Sequence, residues 1–161
     1  MGINFANNAN LTQAGSYITA PGRIVQTVQT NYTTMLSTSS TSPVDFFTSS
    51  GITLTNASNR ILIEWHSDNR VSDWGDAQWN LYFMQLVYVN TGAVLSYTGY
   101  RGEYTYSIRH YHKSTTHTPG SVGPHTYKLQ GWSYSAQNTN FGGAAADSDG
   151  TSYIRLSEIA V

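Results

Sequence analysis

The sequence predicts an all-β protein built as a two-sheet antiparallel sandwich. Three observations point there. Apolar residues alternate at period two in short runs such as Ile52-Thr53-Leu54-Thr55, which sets one side of a strand in a core and the other in water. β-branched and aromatic residues prevail, and no stretch of helical length shows a 3.6-residue period. The strand candidates are too many for one sheet, so two sheets must pack face to face.

The first segment, Met1 to Pro21, has no charged side chain and is rich in Asn and Ala. Its apolar residues Ile3, Phe5, Leu11, Tyr17 and Ile18 are spaced too irregularly for a strand or helix, which predicts an extended N-terminal arm over residues 1–21. A solvated tail has little use for Ile3 and Phe5, so these five residues are the candidates for contact with a partner subunit. Pro21-Gly22 closes the arm as a turn, and a β-sandwich domain is expected over residues 22–161.

Strand signals then recur at Arg23 to Thr34, Val44 to Phe47, Ile52 to Thr55 and Arg60 to Trp65. The longest candidate is Gln78 to Asn90. It sets Trp79, Leu81, Phe83, Gln85, Val87 and Val89 on one side and Tyr82, Met84, Leu86 and Tyr88 on the other. Apolar residues on both sides predict burial of both faces, one of them against another chain. Asn90-Thr91-Gly92 reads as a hairpin turn, because Gly supplies the positive φ that such turns demand. Val94 to Tyr97, Glu103 to His112, Thr126 to Ser135 and Tyr153 to Val161 complete the set. Long loops are expected at Asp68 to Gln78, Thr115 to Pro124 and Ala136 to Ser152.

Composition narrows the function. Charged residues make up 11% of the chain, against about 25% in an average soluble domain. Net charge is −1, and the only lysines are Lys113 and Lys128. A basic groove for nucleic acid is not expected. Cysteine is absent, which excludes disulfides and thiolate chemistry. No apolar run approaches the roughly 20 residues that cross a bilayer, and the start does not read as a signal peptide. A chain with so little charge to hold it apart from its neighbours suits an assembly more than a free enzyme.

Three constellations could carry chemistry. His110 and His112 share one face of a strand, with His117, His125 and Glu103 near in sequence. Their spacing lacks a tight His-x-His plus Glu pattern, and a polar face with Tyr104 and Tyr106 accounts for them. Asp147-Ser148-Asp149-Gly150 opens like a calcium loop but lacks the distal ligands and reads as a turn. Asp73, Trp74, Asp76 and Trp79 form an acid-aromatic cluster that could hold a sugar. No nucleophile, phosphate or zinc motif is present. The expectation is no enzyme, with no catalytic, cofactor or metal residue.

The segment Gly22-Arg23-Ile24-Val25-Gln26-Thr27-Val28-Gln29-Thr30, the run Ser37-Thr38-Ser39-Ser40-Thr41-Ser42 and then Val44-Asp45 resemble a recurring opening in small bacteriophage virion proteins of the decoration, cement or tail-fibre type. Arg60-Ile61-Leu62-Ile63 and the ending Tyr153 to Ala160 match the same pattern. The resemblance covers residues 22–63 and 153–161. It implies a trimeric jelly roll, similar to tumour necrosis factor, on a phage particle, and no catalytic residue; other Greek-key sandwiches share the strand count. A short arm before the sandwich favours a capsid decoration or cement protein. It would be a homotrimer that grips the major capsid protein through its arm, without nucleic acid, membrane or cofactor. The alternative is a tail-fibre knob that recognises host surface glycan.

Overall fold

The structure, a computed structural model, describes residues 12–13, 16–17, 21–71, 80–102, 108–134, 138–142 and 151–161. Among them every regular element is a strand: β1 Thr12–Gln13, β2 Ser16–Tyr17, β3 Ile24–Tyr32, β4 Leu36–Thr38, β5 Val44–Thr48, β6 Ile52–Thr53, β7 Arg60–Val71, β8 Asn80–Tyr88, β9 Ala93–Gly102, β10 Ile108–His117, β11 Pro124–His125, β12 Tyr127–Ser133, β13 Thr139–Phe141 and β14 Ser152–Ile159. No helix among the described residues is long and apolar enough to cross a membrane.

The pairing is that of one long antiparallel hairpin, rolled up. Its tip is the turn at Asn90-Thr91-Gly92, where Gly92 takes φ +75°. From that tip outward, β8 pairs β9, β7 pairs β10, β5 pairs β12 and β3 pairs β14, all antiparallel. Rolling the hairpin then sets β14 against β7 and β12 against β8. Two sheets result, β3-β14-β7-β10 and β5-β12-β8-β9, with β13 and β4 extending the first beside the far end of β7. First pairs with last throughout, and that nesting is the jelly-roll arrangement.

The core lies between the sheets. Ile61, Ile63, Trp65, Met84, Leu86, Leu129, Ile154 and Leu156 are fully buried, each at an alternate position of its strand. Two consecutive residues, Phe46 and Phe47, are both buried because the register between β5 and β12 shifts between Leu129 and Gln130. The shift is a bulge, which adds a residue to β5 and turns an extra side chain inward. Phe46 stacks on Phe141 at 5.4 Å, and Phe141 meets Tyr82 edge-on at 5.6 Å. The Phe141 ring covers Gly131 so closely that a Cβ there would sit 2.8 Å from it.

Several boundaries differ from the expectation. β7 runs on past Trp65 to Val71, so Asp68 is a strand residue and not the start of a loop. Alternation hid this, because Ser67 and Asn69 are polar yet buried. Thr115 to His117 belong to β10, not to a loop. Strand β13 lies in a segment expected as loop; it pairs with β4 over three residues, of which Phe141 is the one large apolar residue of β13, too short a run to show a period. Ile52 to Thr55 contributes only a two-residue strand, paired with β11. Within the segment expected as an extended arm, Thr12 pairs Tyr17 and Gln13 pairs Ser16. Beyond it, Gly22 N–H donates to Ala160 O at 2.8 Å and Ala160 N–H to Arg23 O at 2.9 Å, fastening the start of the sandwich to its end.

Candidate functional site

Strand alternation leaves each sheet with one outward face, and the two faces differ. On the β5-β12-β8-β9 sheet the outward positions gather aromatic rings. Phe83 of β8 stacks on Tyr97 of β9 at 5.6 Å, meets Trp132 of β12 at 5.5 Å and Tyr134 at 6.2 Å, and Tyr97 meets Trp132 at 5.9 Å. Gly99 makes room for the Phe83 ring, since a Cβ there would come within 2.7 Å of it. Tyr97 is 51% exposed and Tyr134 63%.

A polar row borders these rings. Gln85 donates to Gln130 at 2.7 Å, Gln130 donates to Asp45 at 2.6 Å, and Lys128 binds the second Asp45 oxygen at 2.9 Å. Partial burial pushes the Asp45 carboxyl up, but the hydrogen bonds from Lys128 and Gln130 and the lysine charge outweigh it and hold the group below its ordinary range. The other lysine, Lys113, donates to Tyr97 O at 2.9 Å. Lys128 is thus paired with a carboxylate, while Lys113 keeps its charge against a neutral carbonyl.

The outward face of β3-β14-β7-β10 is polar. Register sets His66 opposite His112 on β10 and opposite Tyr153 on β14, and sets Asp68 opposite His110. The Asp68 side chain is 2% exposed. Its Oδ1 accepts from His66 Nε2 at 2.8 Å and from His110 Nδ1 at 2.6 Å. The His66 ring lies nearly parallel to Tyr153 at 5.7 Å and to His110 at 6.1 Å. Arg155 lies 5.4 Å over the Tyr153 ring and 3.7 Å from Glu64.

The four sequence-predicted histidines do not converge. His110 and His112 point outward as expected, but His117 has the opposite strand parity and faces the interior. There His117 Nδ1 bonds Tyr127 Oη at 2.9 Å, while His125 bonds Tyr88 Oη at 2.7 Å and Ser121 O at 2.9 Å. Burial, and then the neighbouring His125, push the His117 pKa down. Burial likewise raises Tyr127, with a contribution from Tyr88. This pair plugs one end of the core.

A second buried acid, Glu158, is fully enclosed. Its Oε1 accepts from Thr55 N–H at 2.7 Å, Thr55 Oγ1 at 2.7 Å and Asn59 Nδ2 at 2.6 Å; its Oε2 accepts from Gln26 Nε2 at 2.7 Å. Burial alone would raise this carboxyl. The hydrogen bonds from Asn59, Gln26 and Thr55 prevail and hold it below its ordinary value. The network ties β3, β14 and the 53–59 turn together, and its role is structural.

The partner-contact candidates Ile3, Phe5, Leu11 and Ile18 lie outside the described residues, as does the Tyr17 side chain. So do Asp73, Trp74, Asp76 and Trp79, Glu103, Tyr104 and Tyr106, and Asp147 to Gly150. What the sequence reading missed is the grouping of His66 and Asp68 with His110, and the Phe83-Tyr97-Trp132-Tyr134 cluster. The first had a local signal: His66 and Asp68 continue the alternation that starts at Arg60.

Neither a protein-family model nor a curated protein matches the chain. Among solved structures it is similar to one described as "Structure of infectious bursal disease virus Gx strain", at 11% identity and a TM-score of 0.43, covering 88% of this chain and 33% of that one. The chain thus spans about a third of that neighbour's length. The fold rests on the strand pairing itself.

Proposed function

We propose that this chain is a non-enzymatic virion structural protein, a capsid decoration or cement protein acting as a homotrimer. The observation that carries the reading is the exposed aromatic face of Phe83, Tyr97, Trp132 and Tyr134 on a jelly-roll sandwich. Exposed rings beside a lysine whose charge is paired, Lys128 with Asp45, gain from being covered, at about 25 cal/mol per Å² of apolar surface. Jelly rolls recur in viral capsid and lectin domains, an analogy of fold that adds weight without deciding function. In this reading sister copies and the major capsid protein cover the exposed faces, and residues 1–21, through Ile3, Phe5, Leu11, Tyr17 and Ile18, reach onto the shell. Three tethered arms would bind far more tightly than one, through effective concentration.

Light scattering of the purified chain, and co-sedimentation with shells lacking it, test the proposal. A trimer that binds shells, and loses them when residues 1–21 are deleted, is the expected result. A chain that stays monomeric at high concentration, ignores shells and turns over a small molecule would overturn it.

The border of Gln85, Gln130 and Asp45 beside exposed Tyr97 and Tyr134 favours a second reading, a tail-fibre knob for host glycan. Rings stack on the apolar faces of sugars while amides and carboxylates bond their hydroxyls. Binding on a glycan array that Trp132→Ala abolishes would support it, and an array without hits would remove it.

A further inference from the structure

We propose that His66, Asp68 and His110 form a binding site for a divalent first-row transition cation of the Zn2+ class. One potential ligand atom from each lies within 4.8 Å of the others. The set is two imidazoles and one carboxylate, a donor combination that suits transition metals; Mg2+ and Ca2+ prefer oxygen alone. Among the described residues, no other group of three ligating side chains comes this close.

Two features separate this cluster from an ordinary polar surface. First, Asp68 is a buried acid whose Oδ2 has no hydrogen-bond partner among the described residues. A buried carboxylate short of donors is costly, and a cation held at Oδ1 would offset its charge. Both imidazoles crowd onto the other oxygen, so the carboxylate draws two nitrogens toward a single point. Second, His66 and Asp68 are held in place. His66 is sandwiched between Tyr153 and His110 at interplanar angles of 19° and 14°. Asp68 is fixed from behind, with its backbone N–H donating to Ser152 Oγ at 3.2 Å.

Ligand atoms around a tetrahedral Zn2+ lie about 3.3 Å apart, given bonds of about 2.0–2.1 Å. The present contacts of 2.8 and 2.6 Å must therefore open by about 0.5–0.7 Å. His110 can move that far, because its side chain is 61% exposed and, among the described residues, β10 pairs with β7 alone. With the ion bound, each neutral ring would carry its proton on the far nitrogen, His66 on Nδ1 and His110 on Nε2, and donate the lone pair of the nitrogen facing Asp68. The ion would cross-link β10 to β7 and keep an outward position for water or a donor from another molecule. The site stands whether or not the chain is a virion protein.

Calorimetric titration of the tag-free, chelator-treated full chain with Zn2+, and separately with Mg2+, tests the proposal. One Zn2+ per chain, a raised thermal midpoint and no response to Mg2+ are expected. His110→Ala removes an exposed side chain and leaves the fold intact; it should weaken Zn2+ binding by at least about 10–100-fold, the loss that changes in a ligand's supporting shell already cause. Asp68→Asn should do the same, with circular dichroism as the check on folding. His112→Ala, the neighbour on the same face, should bind as the parent does. A parent chain that takes up no Zn2+ at millimolar metal, or a His110→Ala chain that binds as tightly as the parent, overturns the assignment. So does an equal loss in His112→Ala.

Discussion

Replacing Glu158 by Gln tests how the sandwich is closed at its base. The side chain keeps its shape, so the effect isolates charge and hydrogen-bond polarity. Three donors converge on Oε1, and a Gln carbonyl oxygen placed there could still accept from Thr55 and Asn59. The amide NH2 must then face Gln26 Nε2, which already donates to Thr53 O at 2.6 Å as well as to Glu158. Two donors would meet, and Gln26 could turn only by giving up Thr53. Hydrogen bonds to a charged group contribute about 1.5–3 kcal/mol each. One such bond is lost and three are weakened from charged to neutral, partly offset because a neutral amide costs less to bury than a carboxylate, so Glu158→Gln should cost about 2–4 kcal/mol. For a domain of this size that lowers Tm by about 4–16 °C, at about 2–4 °C per kcal/mol.

Urea unfolding followed by tryptophan fluorescence at pH 7 measures the loss. The pH dependence supplies a second check. The folded pKa of Glu158 lies below the unfolded value of about 4.3. The group therefore stabilises the fold fully above that value, and the contribution disappears as pH falls through the folded pKa. Parent and variant should converge in strong acid. A loss under about 0.5 kcal/mol, the scatter of neutral surface changes, would refute the account of Glu158 as the anchor of this network.

Other expectations follow from the same geometry. Gly131→Ala should cost about 1–3 kcal/mol by overpacking, because its Cβ would press on Phe141 at 2.8 Å; urea unfolding measures it. Leu156→Ala should cost about 2–5 kcal/mol, since the side chain is fully buried, and the same assay applies. His117 has a folded pKa below its unfolded value, so the unfolded chain takes up the proton first and stability should fall as pH drops below about 6.5; a stability–pH curve of His117→Gln should lack that slope. Asp45→Asn should change stability by under about 1 kcal/mol, because Asp45 is half exposed beside Lys128.

Much of the architecture was legible in residue order alone. Period two groups Ile61, Ile63 and Trp65 on one side of a strand, and Tyr82, Met84, Leu86 and Tyr88 on one side of another; apolar residues on the opposite sides left the choice of inward face to the structure. Asn90-Thr91-Gly92 marks the hairpin tip, because a left-handed residue there calls for Gly. Low charge is likewise a property of the chain by itself.

Position in space was another matter. Asp68 and His110 meet through the β7–β10 register, a contact between segments far apart in sequence that no local spacing encodes. Rings from β8, β9 and β12 form one cluster only after the hairpin has rolled and β12 has come to lie beside β8. Short strands such as β4 and β13 are placed by backbone pairing with β7 and with each other, and by the burial of Phe141 among rings from distant strands. Local chemistry thus determined which side chains share a side of each strand. Long-range backbone pairing, which depends on every strand at once, decided which outward side chains stand together.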